Sequence, residues 1–62
     1  MIVVYYAYLR KRDEKICHSS TIFYDINKAC RFIYSLQNSK NKWYESYSSD
    51  DPEESNELYQ KL

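Results

Sequence analysis

Residues 2–9 read IVVYYAYL, a run of β-branched and aromatic residues with no helix breaker or cap. This composition predicts a β-strand. Both alternating sets of side chains are apolar: Ile2, Val4, Tyr6 and Tyr8 form one set, and Val3, Tyr5, Ala7 and Leu9 form the other. A strand that is apolar on both faces requires cover on both sides. Either the rest of the chain supplies two covers, or something outside the chain closes the second face.

A charged stretch, residues 10–15, separates this run from a second β-type run at residues 16–24. Because neither Gly nor Asn is present for a two-residue turn, we expect a longer loop with a type I turn near Asp13 and Glu14. The two runs are expected to pair as an antiparallel hairpin. The second run is more polar than the first, which favours an edge or half-exposed position.

A helix is predicted after the hairpin. Asp25 is a good N-cap, and an apolar stripe at helical spacing follows it, consisting of Ile26, Ala29, Cys30, Ile33 and Leu36, widened by Phe32. The polar run at residues 37–41 ends this helix.

The last third of the chain predicts a third strand and a short helix. Residues 42–48 alternate, with Trp43, Glu45 and Tyr47 expected on one side and Tyr44, Ser46 and Ser48 on the other. An N-cap candidate, a proline and acidic residues then follow at residues 50–54, which is typical of a helix start. A fourth strand at residues 57–62 is the rival interpretation. The sequence therefore predicts one small α+β domain over residues 1–62, with an antiparallel sheet and the order β-β-α-β followed by a short helix.

Tyrosine is unusually abundant, with eight residues in a chain of 62 that has no glycine. A tyrosine ring can contribute to a core and to a contact surface, because its body is apolar and its hydroxyl is polar. We expect Tyr5, Tyr24 and Tyr34 to lie in or beside the core. The remaining tyrosines are more than a domain of this size needs for its core, which favours a binding function.

No catalytic, metal or cofactor site is predicted. His18 is the only histidine and is adjacent to Cys17 on a predicted strand, where neighbouring side chains point to opposite faces. Three soft ligands, Cys17, His18 and Cys30, do not provide the four that structural zinc uses. Phosphate-binding loops require glycine. We therefore expect a protein that is not an enzyme and has no cofactor.

Charge is distributed unevenly along the chain. Residues 1–44 contain eight Lys and Arg against three Asp and Glu, a net of +5, whereas residues 45–62 have a net of −5. Acidic and aromatic residues coincide in residues 43–59, and our leading hypothesis is that Trp43, Tyr44, Tyr47, Asp50, Asp51 and Glu54 bind a larger protein with a basic surface. Such a protein would act as an inhibitor or modulator, and the small size, the richness in Tyr, Lys, Ser and Ile and the lack of catalytic residues are typical of accessory proteins of phages and mobile elements. Helix capping alone would account for Asp51 and Glu54.

Two further hypotheses come from other classes. The basic segment of Arg10, Lys11, Arg12 and Lys15, with strand tyrosines nearby, could bind nucleic acid, although the net charge of zero argues against it. The same segment is otherwise a solvated loop. A homodimer formed through sheet edges or sheet faces is the third hypothesis.

The apolar run at the N-terminus is too short to cross a bilayer and has no signal-peptide features. Two cysteines are fewer than small secreted domains usually contain. We therefore expect a cytoplasmic protein in which Cys17 and Cys30 are reduced and mostly buried, with no membrane partner.

Overall fold

The computed structural model describes residues 1–62 and contains three strands and two helices. The strands are β1 (Ile2–Arg10), β2 (Lys15–Phe23) and β3 (Lys42–Ser49), and the helices are α1 (Ile26–Gln37) and α2 (Pro52–Lys61). The predicted α+β class and element order are confirmed. The C-terminal segment is a helix, so the rival prediction of a fourth strand was wrong.

The three strands form one antiparallel sheet in the order β2-β1-β3, so that the apolar strand β1 is central. The hairpin pairing of β1 with β2 is uninterrupted, from Ile2 opposite Phe23 to Arg10 opposite Lys15. As predicted, β2 is an edge strand. The hairpin loop needs a left-handed backbone at Glu14, whose φ is 57°.

Helix α1 begins where local sequence predicts. The side chain of Asp25 accepts a hydrogen bond of 2.8 Å from the backbone N–H of Asn27. The buried residues of α1 pack against Ile2 and Val4 of β1; they are Ala29, Ile33 and Leu36. Helical spacing therefore places the apolar stripe on one face of the sheet.

Helix α2 packs on that same face. Asp51 is its N-cap and accepts a 3.0 Å hydrogen bond from the backbone N–H of Glu53, with Pro52 as the first helical residue. Leu58 is fully buried in the core that contains Ile2 and Val4. Because both helices cover the same side of the sheet, the opposite side has no cover from this chain.

A β-bulge in β3 changes which side chains face the helices. Tyr5 is opposite Ser46 and Tyr6 is opposite Tyr44, so Glu45 is an additional residue in the ladder. Tyr44 and Tyr47 consequently both lie on the helix side, and both pack against the core. Our prediction that strict alternation separates Tyr44 from Tyr47 was wrong, because the bulge reverses the alternation at this point.

The tyrosines predicted for the core are instead exposed. Tyr24 is 82% exposed, because β2 ends one residue before it and the α1 cap follows immediately. Tyr5 lies on the uncovered side of the sheet and is 41% exposed, and Tyr34 of α1 is 42% exposed although its hydroxyl donates to the carbonyl oxygen of Lys61 in α2. The tyrosines that pack against the core are Tyr6, Tyr44 and Tyr47.

The two cysteines form no disulfide, and both are partly buried. Cys17 lies on edge strand β2, where neighbours cover it on one side only. Cys30 lies near the end of α2, with its Sγ 3.9 Å from the carbonyl oxygen of Lys61.

Candidate interaction surface

The side of the sheet that faces away from both helices is here called the open face. The register places on it alternate residues of all three strands. They are Val3, Tyr5, Ala7 and Leu9 of β1, Ile16, His18, Ser20 and Ile22 of β2, and Trp43, Ser46 and Ser48 of β3. Two-sided apolarity of β1 thus leads to an apolar surface in contact with solvent.

Four large side chains dominate the open face. Ile16 and Ile22 are each about half exposed, at 54% and 51%, and Tyr5 and Trp43 are 41% and 43% exposed. Tyr5 is on the central strand, and Trp43 is on β3, opposite Ala7. Two aromatic rings are therefore flanked by aliphatic side chains on a surface held rigid by strand pairing.

A polar bridge crosses the centre of the open face. The Nδ1 atom of His18 lies 3.1 Å from Oε1 of Glu45, so that the two edge strands are connected above β1. Ala7 is directly opposite His18 on one side and Trp43 on the other. These neighbours reduce the exposure of Ala7 to 6%. The sequence did not point to this pair, since the two residues are 27 positions apart and meet only through the bulge at Glu45.

The structure uses two of the predicted carboxylates to hold the N-terminus. The Met1 ammonium donates to Asp50 Oδ1 at 3.1 Å and to Glu54 Oε1 at 2.9 Å, and Ser49 Oγ donates to Glu54 at 2.8 Å. Hydrogen bonds to Glu54 and Asp50 raise the pKa of the Met1 ammonium, and its hydrogen bond lowers the pKa of Asp50. These two carboxylates therefore have a partner within the chain.

The other predicted contact residues are separated from one another. Asp51 caps α2, and the Tyr47 hydroxyl donates to the carbonyl oxygen of Ser55 at 3.2 Å. Tyr44 packs against the core, and burial raises the pKa of its hydroxyl. Of the six residues named from the sequence, Trp43 alone lies on the open face. The six do not form one continuous aromatic and acidic surface.

Basic residues collect at one end of the sheet. Arg10 is held by Asp13, with Nε to Oδ1 at 3.0 Å and Nη2 to Oδ2 at 2.6 Å, whereas Lys11, Arg12 and Lys15 are exposed and form no ion pair. The start of β3 lies at the same end, because Leu9 donates to the carbonyl oxygen of Asn41. This basic end therefore contains Lys11, Arg12, Lys15, Lys40 and Lys42 beside the Arg10 pair.

The opposite end of the molecule is acidic. Ile2 is paired with Ser49 there, immediately before Asp50, Asp51, Glu53 and Glu54. Nine residues of β1 separate the two ends, a distance of about 26 Å at about 3.3 Å per residue. The charge asymmetry of the sequence is thus an asymmetry along the 40 Å length of the molecule.

Groups that could support catalysis or metal binding do not converge. Cys17 is opposite Tyr8 and His18 is opposite Ala7, so the two side chains lie on different faces of β2. No three His, Cys, Asp or Glu side chains are grouped as metal ligands. A shallow depression of about 610 Å³ lies between the helices and is lined by Asn27, Cys30, Arg31, Tyr34 and Lys61. Its Tyr34 hydroxyl and Lys61 ammonium are already bonded within the chain.

Comparison with known proteins gives no relative from which a function could be transferred. The chain matches no family model, no curated protein and no solved structure at a significant level. Neither helix has the length and apolarity needed to cross a membrane.

Proposed function

We propose that this chain is a non-enzymatic interaction protein that binds a larger protein through the open face. The observation that carries the proposal is the exposure of Tyr5, Trp43 and their aliphatic neighbours on a sheet face that neither helix covers. Contiguous exposed apolar surface on a small protein is typical of a binding site. The pair of His18 and Glu45 at its centre adds polar groups that can form hydrogen bonds with a partner.

The residue types on the open face are those that dominate binding energy. Trp and Tyr are enriched at interface hot spots because they bury a large area at a low cost in side-chain entropy. Both rings lie on paired strands, so little ordering is required when a partner binds. A partner that buries this surface must also satisfy the His18 imidazole and the Glu45 carboxylate.

Charge supports a partner with basic groups beside its apolar contact. The acidic end retains exposed carboxylates at Asp51 and Glu53, and Asp50 has a side-chain exposure of 67% even though it contacts Met1. These charges contribute to the approach of the partner rather than to the buried contact. The proposed contact residues are therefore those of the open face and not those of the acidic segment, and Trp43 belongs to both sets.

Affinity capture from a lysate with matched variants tests the proposal. Trp43→Ser and Tyr5→Ser remove the two rings of the open face, whereas Tyr59→Ser removes a ring on α2 that is 73% exposed and lies outside that face. We expect the wild type and the Tyr59 variant to retain the same proteins, and both open-face variants to lose at least one of them. Identical retention by all four proteins would overturn the proposal.

Nucleic-acid binding is a second candidate, favoured by the concentration of cations at the basic end. Exposed Trp43 follows Lys42 there and could stack on an unpaired base. The carboxylate of Glu45 on the open face would repel the phosphate backbone, which is why protein binding is preferred. Gel shifts of single-stranded oligonucleotides at low salt decide the matter. If the chain binds nucleic acid, the wild type and the control Lys28→Glu should both shift the oligonucleotide, and the double variant Lys11→Glu with Arg12→Glu should not. The absence of a shift by the wild type at low salt would exclude nucleic-acid binding.

A further inference from the structure

The outer edge of β2 is an unprotected strand edge. None of the hydrogen bonds outside the regular helices and strands reaches the backbone of residues 16–23, so its outward N–H and C=O groups have no partner in the chain. These eight residues include no Lys, Arg, Asp, Glu or Pro, and their pairing with β1 has no bulge. Proteins usually protect an edge strand from further pairing with charged side chains, proline or a bulge.

The other edge of the sheet differs in these respects. Strand β3 has a bulge, and the additional residue there is the charged Glu45, whereas the only Lys, Arg, Asp or Glu of β2 is Lys15 at its first position. A bulge and charged side chains both oppose the addition of a further strand. The contrast between the two edges indicates that β2 is the edge available for pairing.

The side chains of β2 have a two-fold pattern centred on Ser19. Ile16 and Ile22 are equidistant from it, as are Cys17 and Thr21, and His18 and Ser20. In an antiparallel pair of identical strands, a two-fold axis at Ser19 brings each of these residues opposite its counterpart. The two exposed isoleucines of each copy, 54% and 51% exposed, would then form apolar cross-strand pairs.

We propose that two copies of this chain associate through β2, antiparallel and with Ser19 opposite Ser19 of the second copy, to form a continuous six-stranded sheet. Charge agrees with this arrangement. Lys15 lies opposite Phe23 of the second copy, so that the two Lys15 residues are at opposite ends of the strand pair and no like charges face each other along it. The basic end of each copy is also beside the acidic end of the other. The inference goes beyond the proposed function, because it concerns the edge of the sheet and does not require the rings of the open face.

Sedimentation measurements over a dilution series from about 1 µM to about 1 mM test the association. We expect the mass of the wild type to rise toward that of a dimer. Ser19→Lys places two ammonium groups opposite each other at the axis and should give a monomer throughout. Ser35→Lys, at an exposed serine of α1 that belongs neither to the open face nor to β2, is the control and should behave as wild type. Circular dichroism verifies that each variant is folded. A monomeric wild type at every concentration, or a Ser19→Lys variant with the wild-type mass, would overturn the proposal.

Disulfide trapping tests the register. In a background with Cys17→Ser and Cys30→Ala, Ser19→Cys places two sulfur atoms across the axis at a Cα separation of about 4.5 to 5.5 Å, which a disulfide accommodates. The two copies of Ser20→Cys would be about 8 Å apart, beyond disulfide reach. We expect rapid oxidation to a covalent dimer for Ser19→Cys alone. Faster trapping of Ser20→Cys, or no trapping of Ser19→Cys, would contradict this register. A chain that stays monomeric but pairs with a foreign strand peptide would show that the edge of β2 binds peptides and does not bind a second copy.

Discussion

His18 Nδ1 and Glu45 Oε1 are 3.1 Å apart although they belong to the two edge strands, which are not adjacent. Edge strands of a three-stranded sheet are about 9.6 Å apart, so both side chains must lean over β1 to meet. The β1 residue between His18 and Trp43 is Ala7, whose methyl group leaves room for the contact. The additional residue in β3 is the one whose side chain makes this bridge.

The bridge is expected to contribute little to stability. The two side chains are 67% and 40% exposed, so solvent screens their interaction, and exposed pairs typically contribute about 0 to 1 kcal/mol. A double-mutant cycle of His18→Ala and Glu45→Ala in urea unfolding should give a coupling free energy of about 1 kcal/mol or less. A coupling well above that value, unaffected by 1 M salt, would show that solvent does not screen the pair.

The hairpin loop carries a removable strain at Glu14. With φ at 57°, its Cβ is in the unfavourable left-handed region, and glycine avoids that cost. We expect Glu14→Gly to raise the free energy of unfolding by about 0.5 to 1 kcal/mol, measured by urea denaturation. The control Lys11→Gly lies in the same loop at a residue without positive φ and should destabilise the protein. Equal effects from the two substitutions would contradict the explanation.

Leu58 is the one buried residue of helix α2. Leu58 is fully buried, whereas Leu62 is 42% exposed. Leu58→Ala should lower the free energy of unfolding by about 2 to 5 kcal/mol, a large part of what a domain of this size has. Leu62→Ala should cost much less in the same urea titration. If the two variants unfolded at the same urea concentration, α2 would not depend on Leu58.

Alkaline pH should weaken the fold through Tyr44. Burial raises the pKa of its hydroxyl above 10.0, so the folded state holds the proton more tightly than the unfolded state does. The resulting stabilisation is complete below the unfolded pKa and disappears as the pH rises through the folded pKa. Above pH 10, Tyr44→Phe should therefore lose less stability than the wild type. The control Tyr59→Phe, which changes a ring that is 73% exposed, should lose as much stability as the wild type. The measurement is thermal unfolding at several pH values, and parallel losses in all three proteins would contradict the expectation.

Local signals predicted the elements well. Asp25 and Asp51 cap the two helices, and the polar composition of β2 agrees with its position at the edge of the sheet. These features depend on residues close together in the chain. The bulge at Glu45 could not be predicted in this way, because it is defined by the pairing of β3 with a strand about 40 residues earlier.

The candidate site was predicted only in part. The amino-acid pattern predicted a second apolar sheet face but left open whether the rest of the chain or something outside it covers that face; in the structure both helices pack on the other side. The placement of the residues on that second face was not predicted, because the bulge turns Tyr44 and Tyr47 toward the helices and leaves Trp43 outward. The contact of Asp50 and Glu54 with Met1 joins residues 49 and 53 positions apart, which no local pattern encodes.

Trp43 is the only tryptophan in the chain, and it lies on the open face with 43% of its surface exposed. Its indole emission at long excitation wavelengths therefore reports on that face of the sheet directly. Burial of the ring by a ligand should shift the emission to the blue and shield it from aqueous quenchers. The molecule thus contains an intrinsic optical probe at the surface where binding is proposed, and titrations there need no added label.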